Sequence, residues 1–123
     1  YVEMQWRMLQ QEVPEDYIIS TGIQSSVREF IEISARYLNW GGIIWEGKEE
    51  NEIGRRKDSG EIVIKIDPKY YRPAEVDSLL GSPKKALKKL NWKPKITLEE
   101  LVEEMINNDK KLASLELINN KNL

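Results

Sequence analysis

Glu61-Ile62-Val63-Ile64-Lys65-Ile66 alternates without a break, setting Ile62, Ile64 and Ile66 on one side of an extended chain against Glu61, Val63 and Lys65 on the other. A period of two means a half-buried strand, and Asp67-Pro68 ends it. Working upstream, the polar residues 47–60, which carry Arg55 and Arg56, read as a loop or a loosely paired excursion, and Ile43-Ile44-Trp45-Glu46 as a second strand. Before that, Ser26-Val27-Arg28-Glu29 is a capping box, in which a hydroxyl and a carboxylate three residues apart satisfy amides that a helix start leaves open. Val27, Phe30, Ile31 and Leu38 mark the stripe of a helix over 26–39, stopped by Gly41-Gly42. Tyr17-Ile18-Ile19-Ser20-Thr21 reads as a short buried strand, and Val2, Trp6 and Leu9 fall at i, i+4 and i+7 on what reads as the core face of a helix over 1–11.

Downstream, Ser82 followed by Pro83 supplies an N-cap and an N1 proline for a short helix to Leu90. Thr97 and Glu100 form a second capping box, opening a helix over 97–116 with Leu98, Leu101, Val102, Met105, Ile106 and Leu112 at helical spacing. The pattern lapses in 117–123, a tail expected to fray. The expected fold class is therefore α/β, a mixed α+β small lobe, with helices over 1–11, 26–39, 82–90 and 97–116 on strands 17–21, 43–46 and 61–66.

At 123 residues the chain is one domain's worth of polypeptide, expected to form a single lobe over 1–123. It opens directly on a helical pattern, without an initiator methionine, and is expected to be part of something longer. Cysteine and histidine are both absent, which removes disulfides, thiol nucleophiles, imidazole bases and the usual zinc ligands; no metal site is expected. A net charge of -2 gives no reason to expect nucleic acid or an acidic membrane as partner. No run approaches the ~18 apolar residues that span a bilayer, and no signal-peptide pattern opens the chain, so a cytoplasmic location is expected.

Tyr70-Tyr71-Arg72-Pro73-Ala74-Glu75-Val76-Asp77 follows the alternating strand. An arginine fork matches a diphosphate, and a carboxylate three positions on can accept hydrogen bonds from the vicinal hydroxyls of a ribose. Arg72 and Glu75 could equally be a surface ion pair. Trp6, Trp45 and Trp92 could be a stacking platform for a base, but their settings favour core. Lys84, Lys85, Lys88 and Lys89, like Glu99, Glu100, Glu103 and Glu104, recur as solvated helix faces.

These segments resemble, in order and over almost the whole chain, the C-terminal part of the GDP-mannose 4,6-dehydratase family. The resemblance is carried by Tyr1-Val2-Glu3 through Leu9-Gln10-Gln11, Thr21-Gly22 with Ser26-Val27-Arg28-Glu29-Phe30, Trp45-Glu46-Gly47 and residues 67–77. It continues through Leu79-Leu80-Gly81, Leu90-Asn91-Trp92-Lys93-Pro94 and Leu98-Glu99-Glu100-Leu101-Val102. Two positions depart: Ile23 stands where the family usually has glutamate, and Asn91 where it usually has glycine. Asparagine is the residue best able to replace glycine at a left-handed helix end.

The resemblance implies the C-terminal substrate domain of an extended short-chain dehydrogenase/reductase whose N-terminal Rossmann domain is absent from this chain. That missing domain would hold NADP and the catalytic residues, and the whole protein, a homo-oligomer, would convert GDP-mannose to GDP-4-keto-6-deoxymannose on the way to GDP-fucose. Arg72 is implied against a phosphate of the GDP, Glu75 against the ribose, and Arg55, in Ile53-Gly54-Arg55, near the nucleotide. The residues themselves offer neither G-x-G-x-x-G nor a tyrosine followed four positions later by lysine, so no cofactor-binding or catalytic residue is expected here and the chain alone should be inactive. Two other classes stay open: a stand-alone interaction module of the same fold, and the lobe of a sibling nucleotide-sugar epimerase or reductase.

Overall fold

A computed structural model describes residues 1–121 apart from Pro73, Glu75 and Asp77. It is a small mixed α/β structure of helices α1 (Val2–Leu9), α2 (Val27–Tyr37), α3 (Lys84–Leu90) and α4 (Leu98–Lys121) and strands β1 (Ile43–Glu46), β2 (Ile53–Arg56) and β3 (Ile62–Lys65). The chain divides into two compact units, Tyr1–Ser25 with Val76–Ile96, and Ser26–Glu75 with Thr97–Leu123. Among the described residues no helix is long and apolar enough to cross a membrane.

The second unit holds an antiparallel sheet in the order β1-β2-β3. Its central strand, β2, lies within the stretch whose composition suggested a loop or a loosely paired excursion. Gly54 is what disguises it and what makes it possible. Opposite Trp45 and Ile64, a Cβ at Gly54 would come within 3.0 Å of Ile43 Cγ2 and 3.1 Å of Ile64 Cβ. The missing side chain lets isoleucines on both flanking strands close over the middle one. β3 matches the alternating run, although Val63, expected toward solvent, is half-buried like Ile62 and Ile64.

α2 packs against α4 and β1, and Ile33, Ala35 and Val102 are fully buried. The first capping box behaves as its chemistry requires, with the Ser26 hydroxyl accepting from the Glu29 amide at 3.0 Å. α2 ends earlier than its glycines suggested, the chain turning left-handed at Asn39 (φ 59). At the head of α4 the box is closed in both directions: the Thr97 amide donates to Glu100 Oε2 at 2.8 Å and the Glu100 amide to Thr97 Oγ1 at 3.2 Å. The Thr97 amide holds the Glu100 carboxyl below its ordinary range. Replacing Thr97 by alanine should lower stability by about 1 kcal/mol, read as a shifted chemical-denaturation midpoint; an unmoved midpoint would show that the hydroxyl is not the cap. α4 continues to Lys121, past the end near 116 that its apolar pattern suggested.

The first unit is built on Met4, Ala86 and Leu90, with Met8, Tyr17, Ile19 and Trp92 packed around them. Residues 17–21 do not form the strand expected of them. Their alternation sends Tyr17 and Ile19 onto this core, while Ser20 approaches Gly81 so closely that a Cβ there would lie 2.9 Å from Ser20 Cβ. α1 is also turned from its expected orientation: Met4 is 0% exposed and packs on α3, whereas Val2, Trp6 and Leu9 face away from that core. The helix is apolar on two sides, and Ala86 and Leu90 select the methionine side. Pro83, not Ser82, takes the cap position of α3; having no N–H, it leaves no donor there to satisfy.

The other end of α3 is held by a side chain that no local pattern announced. Arg7 Nη1 donates to the carbonyls of Leu90 and Asn91 at 2.7 and 2.8 Å, while Nη2 donates to Glu3 Oε1 at 2.8 Å. A cation at a helix C-terminus both satisfies open carbonyls and suits the helix dipole.

Candidate functional site

The segment that leaves β3 is organised by Asp67. Its Oδ1 accepts from the Lys69 amide at 2.9 Å and its carbonyl from the Tyr70 amide at 3.0 Å, and the Tyr71 amide donates to Pro68 O at 3.3 Å. Aspartate thereby turns the chain locally, as its short acceptor side chain allows. Arg72 follows directly from this turn and is exposed. Glu75, its expected companion, lies outside the described residues together with Pro73 and Asp77.

Arg55 sits on β2 with its backbone opposite Ile44 on one side and Ile62 on the other. Its Nε donates to Glu46 Oε2 at 3.1 Å and its Nη1 to Gly60 O at 3.2 Å. These bonds tie β1 and the β2–β3 turn to the central strand, so part of the guanidinium is already engaged in holding the hairpin. The register places Arg55 beside the start of β3, whereas residues 67–72 leave from its end, about 10 Å further along the strand.

Trp45 is not an open platform for a base. Its indole N–H donates to Glu32 Oε1 at 2.6 Å, and the Arg28 guanidinium lies 4.2 Å from its ring centroid while also pairing with Glu52. Trp92 belongs to the core around Met4; Trp6 does not. Composition gave little sign of a second arginine cluster: Arg56 lies 4.8 Å over Trp40 and pairs with Asp58 at 2.7 Å. That hydrogen bond holds the Asp58 carboxyl below its usual range. The one local signal was the spacing Arg56-x-Asp58, which suits a tight turn.

Both departures from the family pattern have a local account. Asn91 adopts φ 48, ψ 36, the left-handed conformation that glycine would supply, and its amide and that of Trp92 both turn back to the Ala86 carbonyl. Asn91→Gly should leave stability nearly unchanged, whereas Asn91→Ala should cost about 1 kcal/mol, because a Cβ without a local hydrogen-bonding group is strained there; equal denaturation midpoints for the two variants would contradict this. Ile23 is exposed, and its backbone is held by Thr21, whose Oγ1 donates to Ile23 O at 2.9 Å and accepts from its amide at 3.2 Å.

The described residues do not form the cradle of a dinucleotide cofactor. A Rossmann cradle needs a parallel strand running through a glycine-rich turn into a helix. The sheet here is antiparallel throughout, and β1 and β2 are joined by a turn at Gly47 and a single 3-10 turn over Glu49–Asn51.

Four helices and a three-stranded antiparallel sheet among the described residues make this a small protein of mixed α/β class. The model of the GDP-mannose 4,6 dehydratase family matches residues 1–105, and the chain belongs to that family. It is 53% identical over 112 residues to the GDP-mannose 4,6 dehydratase of Cricetulus griseus, covering 91% of this chain and 30% of the relative. To the Homo sapiens protein of the same name it is 53% identical over 113 residues, again 91% of this chain and 30% of the relative. To the GDP-mannose 4,6-dehydratase of Vibrio cholerae it is 47% identical over 123 residues, with 92% and 33% covered. The chain thus spans about a third of the length of the relatives it matches.

Proposed function

We propose that this chain is the substrate-binding lobe of a GDP-mannose 4,6-dehydratase of the extended short-chain dehydrogenase/reductase type, which converts GDP-mannose to GDP-4-keto-6-deoxymannose. The observation that carries this reading is the family match over residues 1–105, which contains the Arg72-Pro73-Ala74-Glu75 stretch. Arg72 would grip a phosphate of the GDP, Glu75 would accept from the ribose hydroxyls, and Arg55 would stand near the nucleotide while bracing the sheet. NADP and the groups that carry out the reaction are assigned to the part of the protein outside this chain, since neither the motifs nor the fold here suit them.

Incubating the purified 123-residue chain with GDP-mannose and NADP should give no product, and the full-length protein under the same conditions should give GDP-4-keto-6-deoxymannose. Turnover by the short chain would overturn the division of labour between the lobes. Failure of the full-length protein to bind GDP would overturn the reading as a whole.

A further inference from the structure

α1 carries apolar residues on two opposite sides, and only one side is covered. Met4 is 0% exposed against Ala86 and Leu90, while Val2, Trp6 and Leu9 are 79%, 61% and 81% exposed on the other face. Residues 2, 6 and 9 lie one above the other on a helix, so this is a continuous stripe. Val13, just beyond the helix, is exposed as well. Exposed apolar residues scattered singly need no explanation, but a contiguous stripe that includes a tryptophan does.

The charges of the helix do not ask for a partner outside the unit. Glu3 pairs with Arg7 at 2.8 Å and with Lys95 at 3.4 Å, and Arg7 also reaches the end of α3. What remains is apolar, which is the character of a permanent interface rather than a transient one. The relatives tell where so permanent a partner comes from: the chain matches 30–33% of them, leaving about two thirds of their polypeptide outside it.

We infer that the Val2–Trp6–Leu9 face of α1 is the docking surface by which this chain packs against the remainder of its own polypeptide. The inference rests on the reading of the chain as one lobe of a longer dehydratase. Burial of this stripe would then keep α1, and through Arg7 the end of α3, in place in the complete enzyme.

The chain contains no cysteine, so single cysteines introduced at Val2, Leu9 or the control position Glu104 can be followed by maleimide labelling and peptide mass spectrometry. In the 123-residue chain, Val2→Cys and Leu9→Cys should react as fast as Glu104→Cys. In the full-length polypeptide they should react at least about ten-fold more slowly than the control, as buried sites do. Hydroxyl-radical footprinting of Trp6 in the unsubstituted proteins gives the same comparison without any substitution. Equal reactivity of Leu9→Cys and the control in the full-length protein, together with an unprotected Trp6, would overturn the inference. So would protection in the short chain that grows with its concentration, because a second copy would then be the occupant. GDP-mannose turnover by the same full-length preparations separates the two claims. Turnover with an unprotected stripe sinks the docking surface alone, and a protected stripe without turnover supports the surface while sinking the dehydratase reading.

Discussion

Arg72→Lys in the full-length protein should weaken GDP binding by roughly ten-fold to more than a hundred-fold while leaving the denaturation midpoint nearly unchanged. Lysine keeps the positive charge but loses the planar fork, and one charged hydrogen bond is worth about 1.5 to 3 kcal/mol, which sets the range. Arg72 is exposed beyond the Asp67 turn, so the substitution disturbs no buried core. Glu75→Gln should weaken GDP and GDP-mannose together, because both carry the ribose that the carboxylate is proposed to hold. NADP affinity should be spared in both variants, since the cofactor is assigned to the other part of the protein. Calorimetry with GDP decides: unaltered affinity in both Arg72→Lys and Arg72→Ala would reduce Arg72 to a surface partner of its neighbours, and the site assignment would fall with it.

Met4→Ala should destabilise the first unit by about 2 to 5 kcal/mol, the usual cost of deleting a fully buried side chain and leaving a cavity. Met4 is 0% exposed and sits between Ala86 and Leu90 in a core with few other members. The neighbours that could collapse into the space are themselves held: Trp92 follows a left-handed Asn91, and α3 is tied to α1 through Arg7. Met4→Leu, which nearly conserves volume, should cost less than about 1.5 kcal/mol. Hydrogen exchange of the α1 and α3 amides reads this unit separately from the sheet unit. Unchanged protection in Met4→Ala would mean that the unit is held by something other than this contact.

The parts of the fold legible in the chain are those governed by residues a few positions apart. The Thr97–Glu100 box closes as its spacing requires, Ser26 caps α2, and Asn91 takes the left-handed turn in place of glycine. β3 announces itself by its alternating isoleucines, and Arg72 stands just beyond it. The caps and the left-handed turn follow from a hydrogen bond or a dihedral preference within one turn of chain, whereas β3 also needs β2 to pair with. Arg72 and Glu75 were singled out in the same local way, as neighbours in sequence, and Glu75 lies outside the described residues.

What tertiary structure alone decided are the choices that depend on partners far away. Gly54-Arg55-Arg56 has no strand pattern of its own and becomes the central strand because β1 and β3 pair with both its edges and Ile43 and Ile64 close over the glycine. Residues 17–21 have a strand's alternation but no pairing strand, and spend it on a core instead. α1 offered two apolar faces of equal claim, and Ala86 and Leu90, some eighty residues away, selected Met4 over Trp6. Arg55 was placed by register, which bound it to Glu46 and Gly60 before any ligand. Burial and strand pairing are properties of surfaces brought together by the whole chain, and a local pattern can propose which surfaces are apolar without saying which of them will meet.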